Sequence, residues 1–130
     1  MRLTKSADFA LRLMIHLASE QKTLTMPVLS ERLGIPYHHL SKLIQALSKA
    51  KLVQTRQGKN GGVQIMGSPD QISLKEVLDV IEGPLRLSEC MHLATTTCGL
   101  VQTCKLKRTF HDLQTNIETF FASVKISQMI

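Results

Sequence analysis

Cys90, Cys98 and Cys104 are the only cysteines of the chain and stand in the pattern C-x7-C-x5-C. Thiolates are soft ligands, suited to zinc and to iron-sulfur clusters. Structural zinc sites usually place their cysteine pairs about two to four residues apart, so the wider spacings here favour a larger object, an iron-sulfur cluster. Three thiols leave one position of a four-ligand set to another donor, and His92, His111 or a carboxylate from elsewhere could supply it. A weak or exchangeable ligand at that position would let an oxidant, nitric oxide or iron loss reach the cluster. Buried cysteines can also serve as small apolar core residues. The neighbours Ser88, Glu89, His92 and Thr95-Thr96-Thr97 are not core composition, and Gly99 gives the segment freedom to wrap around a bound group. Zinc held with His92, or thiol redox chemistry without metal, are the alternative uses of the same residues.

A second constellation lies upstream. Tyr37, His38, His39, Ser41, Lys42 and Gln45 form a polar, basic set, and Arg56, Lys59, Asn60 and Gly61 form another. Lys and Arg neutralise phosphate, small polar groups fix register on the backbone, and amide or imidazole groups can meet base edges.

The elements that must position these groups follow from periodicity. From Thr4 to Ser19 apolar residues occupy most of a helix circumference, as in a largely buried helix. Thr25, with Pro27 in the first turn, opens a short helix that Gly34 stops. After the turn Gly34-Ile35-Pro36, Leu40, Leu43, Ile44 and Leu47 mark the buried stripe of an amphipathic helix whose other side carries the first polar set. Leu52–Arg56 and Val63–Met66 lean towards strand and are joined by Gly58-Lys59-Asn60-Gly61-Gly62, a basic hairpin tip. Ser73 caps a further helix that Gly83-Pro84 ends, and a non-periodic segment with all three cysteines follows. Leu106, Phe110, Leu113, Ile117, Phe120 and Val124 then alternate in steps of four and three, the seam of a helix that wants a partner helix. The expected fold is mainly α with a small β-hairpin. A winged helix-turn-helix spans residues 1–84, a cysteine loop 85–104, and a dimerisation helix 105–130.

Composition agrees with one globular domain. The 130 residues are 43% apolar and 20% charged, with a formal charge of +6, which suits an acidic polymer as partner. The first 20 residues carry Arg2, Lys5, Asp8 and Arg12 and show no export signal, and no apolar run approaches the ~20 residues of a membrane span. A cytoplasmic protein is expected. No phosphate-binding glycine loop or convincing catalytic dyad is visible, so neither an enzyme nor a small-molecule substrate is expected, a small redox enzyme being the weakest alternative.

Four stretches resemble the Rrf2 family of bacterial regulators: Met1-Arg2-Leu3-Thr4-Lys5, Gly58-Lys59-Asn60-Gly61-Gly62-Val63, the helix from Ile72-Ser73-Leu74, and Cys104-Lys105-Leu106-Lys107. The resemblance spans essentially the whole chain. It implies a homodimer built on the final helix, winged-helix heads on a palindromic site in double-stranded promoter DNA, and a cluster near the dimer interface. Members that regulate cluster assembly place a histidine three residues after the last cysteine, where this chain has Lys107. In nitric-oxide-responsive members an aspartate of the first helix, from the other subunit, can complete the cluster, and Asp8 stands at that position. An acid there is also favoured simply by the helix dipole. The wing is similar to that of the nitric-oxide-responsive members, and the gap between Cys90 and Cys98 to that of iron-responsive ones. The resemblance therefore implies a repressor with a 4Fe-4S rather than a 2Fe-2S cluster, responsive to nitric oxide first and iron second.

Overall fold

Helix α1 (Lys5–Glu20) begins where the Thr4 hydroxyl accepts the Ala7 amide at 3.1 Å and ends where Gln21 turns left-handed. Its Ala7, Ala10, Leu13, Met14, Leu17 and Ala18 are fully buried, so α1 is the axis around which the other elements pack. The computed structural model describes residues 2–91 and 97–130.

Helix α2 (Met26–Leu33) has Thr25 at its N-cap position and Gly34 at its C-cap, where φ is +64°. That left-handed residue lets the chain reverse within three residues and start α3 (Tyr37–Lys49). The turn is closed by the Ser30 hydroxyl, which donates to the Ile35 carbonyl at 2.6 Å. Leu40, Leu43, Ile44 and Leu47 bury as the spacing predicts.

Strands β1 (Val53–Arg56) and β2 (Gly62–Ile65) pair antiparallel, with Val53 opposite Ile65 and Arg56 opposite Gly62. Leu24 adds a third rung on the outer side of β2: its amide and carbonyl exchange hydrogen bonds of 2.9 and 2.7 Å with Val63. The approach is close enough that a Cβ at Gly62 would lie 2.3 Å from the Leu24 carbonyl oxygen, and Gly62 has φ of +146°. Only glycine fits there.

Helix α4 (Leu74–Glu82) opens with a capping box. The Ser73 amide donates to Glu76 Oε2 at 2.7 Å, and Ser73 Oγ accepts the Glu76 amide at 3.2 Å. The Ser73 amide is the main cause that holds the Glu76 carboxyl below the usual value of 4.5, and the Ser73 hydroxyl, donating to the same Oε2 at 2.8 Å, adds to it. Helix α4 packs on α1 and α3 on one side and on α5 (Lys105–Ser123) on the other. A 3-10 turn, Glu89–Met91, lies in the cysteine segment and sits against α5.

The final helix differs from expectation at its end. It stops at Ser123, and Val124 leaves the predicted seam in extended conformation. The chain then returns to the head: the Leu74 amide donates to the Val124 carbonyl at 3.0 Å and the Ile126 amide to the Ile72 carbonyl at 2.9 Å. Ile126, at the start of the turn Ile126–Met129, is fully buried within the core around α1. Burying that side chain in the head stabilises the return more than one further helical turn at the exposed end of α5 would.

Candidate nucleic-acid interface and cysteine loop

Gly34 and Pro36 aim α3 so that its apolar stripe faces α1 and α2 and its other side faces out. On that outer side Tyr37 is 56% exposed, His38, Lys42 and Gln45 are exposed, and Ser41 is half-buried. The wing carries Arg56, Lys59 and Asn60 exposed and Gly61 half-buried beside them. The Gly61 amide donates to the Gly58 carbonyl at 2.9 Å, which closes the tip. A Cβ at Gly61 would lie 2.4 Å from the Arg56 carbonyl oxygen, so this tip is built for glycine. Among the described residues the ion pairs join Arg12 to Asp8, Lys22 and Arg32 to Glu20, Lys75 to Asp79 and His111 to Asp112. Lys42, Arg56 and Lys59 stand in none of them, so their charges are open to an external anion.

His39 is placed otherwise than the rest of its set. It is half-buried, with Nε2 3.0 Å from Ser6 Oγ and its ring against Phe9. Ser6, Leu24 and Ile126 are residues that sequence reasoning passes over. Leu24 and Ile126 sit in stretches too short for periodicity to register, Ser6 is a polar residue in the first turn of α1, and each acts through a partner distant in sequence.

Cys90 lies in the 3-10 turn, half-buried, with Ser88 Oγ 3.0 Å from its sulfur. Cys98 is exposed in the loop, where its carbonyl accepts the Val101 amide at 3.2 Å. Cys104 is half-buried and takes the N-cap position of α5 without a side-chain capping bond. Because the 3-10 turn packs on α5, the first and last thiols ride on elements that touch, with Cys98 on the loop between them. Among the described residues no three His, Cys, Asp or Glu side chains stand together closely enough to hold a metal ion. His111 is 72% exposed and lies beside Asp112, Asp8 is engaged with Arg12 at 2.7 Å within its own helix, and His92 lies outside the described residues. The donor set therefore fits a soft metal or cluster in its chemistry, with the first and last thiols on elements that touch and Cys98 exposed on the loop between them.

A buried axial helix, a helix-turn-helix with a polar outward face and a basic glycine hairpin define a winged-helix DNA-binding protein. The chain matches the Rrf2 family, described as iron-dependent transcriptional regulator, over residues 3–130, and it belongs to that family. It is 36% identical over 114 residues to the HTH-type transcriptional regulator NsrR of Shouchella clausii, covering 86% of this chain and 76% of that one. With the HTH-type transcriptional repressor NsrR of Streptomyces coelicolor the identity is 31% over 127 residues, covering 95% and 82%. Two solved structures share the fold. T. potens IscR superposes with a TM-score of 0.80 at 21% identity, over 99% of this chain and 85% of that one. CymR (YrzC), the global cysteine regulator of B. subtilis, gives 0.80 at 18%, over 99% and 95%. The chain is a DNA-binding transcriptional regulator, and no helix of its described residues is long and apolar enough to cross a membrane.

Proposed function

We propose that this regulator is a homodimeric repressor whose grip on promoter DNA is governed by an iron-sulfur cluster held by Cys90, Cys98 and Cys104, four-iron rather than two-iron. The observation that carries the reading is the seating of the Cys90 turn against the helix that Cys104 caps. The family description, iron-dependent transcriptional regulator, supports a metal-responsive switch. Asp8 of the partner subunit is the favoured fourth ligand, and taking that role requires it to leave its pairing with Arg12, an exposed pair of the kind worth little. When bound, the cluster would supply a tie that nitric oxide, or secondarily iron loss, can dismantle.

This chain's own residues do the rest. The turn at Glu89–Met91 and the start of α5 hold the ends of the loop, and α4 links α5 to the DNA-binding head. Helix α5 has 19 residues, about 28 Å of length, and none of them is buried. Leu106, Leu113 and Phe120 are 58%, 41% and 63% exposed at seam positions, which supports a second copy of the same helix as their cover. Lys42, Arg56 and Lys59 neutralise phosphate, and Tyr37, His38, Ser41 and Gln45 meet the major groove. A zinc or thiol-based switch is the second reading, favoured by the exposure of Cys98 away from a formed metal group among the described residues.

The test is anaerobic purification of the full chain with visible absorption, iron and sulfide assay and sedimentation. The expected protein is a brown dimer with acid-labile sulfide that nitric oxide bleaches. A colourless dimer with stoichiometric zinc, or with neither metal nor sulfide after reconstitution, would contradict the cluster.

A further inference from the structure

The two histidines that open α3 have different surroundings. His38 is exposed, and its ring lies 6.4 Å from that of His39 at 26°. His39 turns to α1: Nε2 is 3.0 Å from Ser6 Oγ, and the ring meets Phe9 edge-on at 5.1 Å and 74°. Ser6 and Phe9 are three residues apart, so one face of the first turns of α1 grips one side of the imidazole. The same end of α1 is fixed to α4, where the Thr4 hydroxyl donates to the Glu82 carboxylate. Helix α3 has no side-chain cap of its own, since Pro36 occupies its N-cap position.

We infer that His39 is a positioning residue that sets the pitch of α3 through Ser6 and Phe9 and does not read a base. The inference rests on the reading that α3 enters the major groove. The bond to Ser6 occupies the ring nitrogen farthest from the backbone, which a base-reading histidine would extend to the base edge. Gln45 stands about 9 Å further along the helix, so a change of pitch at His39 moves the whole reading face and not one contact.

The experiment uses the full-length dimer and a duplex selected from a random pool by the wild-type protein. His39→Ala and Ser6→Ala each should weaken binding by about threefold to tenfold, the loss expected for one hydrogen bond and the ordering it provides. The double variant should lose little more than either single one, because both break the same link. His39→Gln, which can place a polar nitrogen near the Nε2 position, should recover binding better than His39→Asn. Selection repeated with His39→Ala should return the same base preferences, held more weakly throughout. Relaxed preference at one base pair in His39→Ala, with Ser6→Ala unchanged, would overturn the inference and make His39 a base reader. Wild-type affinity in both single variants would overturn it as well, provided Lys42→Ala loses affinity in the same assay. An unchanged Lys42→Ala would instead remove the reading of α3 on which the inference stands.

Discussion

Lys42 and Arg56 stand on different elements, α3 and β1, and neither has an ion-pair partner among the described residues. If each meets one phosphate, Lys42→Ala or Arg56→Ala should lower the slope of log affinity against log salt by about one, and the double variant by about two. A titration across salt concentration measures this directly. Glu76 supports a prediction of another kind. Its carboxyl titrates below the ordinary range because the Ser73 amide donates to the charged form. A depressed folded value contributes stability that is present above the unfolded value and lost as pH falls through the folded one. Glu76→Gln keeps an acceptor without a titrating charge, so it should lose less stability than the wild type as pH falls below the unfolded carboxyl value of about 4.3 in thermal melts. The capping residue Ser73 is legible in sequence because a Ser-x-x-Glu pattern precedes an apolar run. The separate surroundings of His38 and His39 are not legible. Adjacent helical residues differ by about 100° in direction, and which of the two meets α1 depends on how α1 and α3 cross.

At the scale of elements, α1, α3 and α4 declare themselves through apolar residues at i, i+3, i+4 and i+7, and the wing through its glycines. Their ends and partners are harder to read. Leu24 pairs with Val63 from a stretch of three residues, Thr23-Leu24-Thr25, in which a single apolar side chain gives no period. The tail after α5 has the same character: Lys125-Ile126-Ser127 continues a helical pattern plausibly enough on paper, yet Ile126 is fully buried in the head. The chain turns there because the cavity beside α1 accepts a side chain that a longer α5 would leave in water. Ile126→Ala should therefore cost about 2–5 kcal/mol, as for other large aliphatic residues cut back in a close-packed core. Denaturant unfolding followed by circular dichroism is the check. If the tail were a loose end of α5, the loss would stay under about 0.5 kcal/mol.

At the scale of the whole molecule, α4 lies between the DNA-binding head and α5, and the returning tail ties the far end of α5 back to the same head. The near end of α5 carries Cys104, and the turn with Cys90 packs on the same helix. One end of the long helix is thus fixed to the head, and the other is joined to the loop on which the thiols sit. Under the proposed function, tying or releasing that loop would bias the setting of the DNA-binding head, which is all that a two-state regulator needs. The sequence discloses the thiols and their spacing, but not that the turn with Cys90 packs on the helix that Cys104 opens. Cys98 sits exposed in a polar segment without period, so apolar patterning gives no guide to its position. The most direct measurement is anaerobic binding of the selected duplex by the full-length protein with its cysteine-bound iron and sulfide assayed, set beside the chelated protein and Cys98→Ala. Tight binding by the loaded wild type, at least tenfold weaker binding by the other two, and unchanged dimerisation in all three is the predicted result. Equal affinity in all three would contradict control of DNA binding through the cysteine loop.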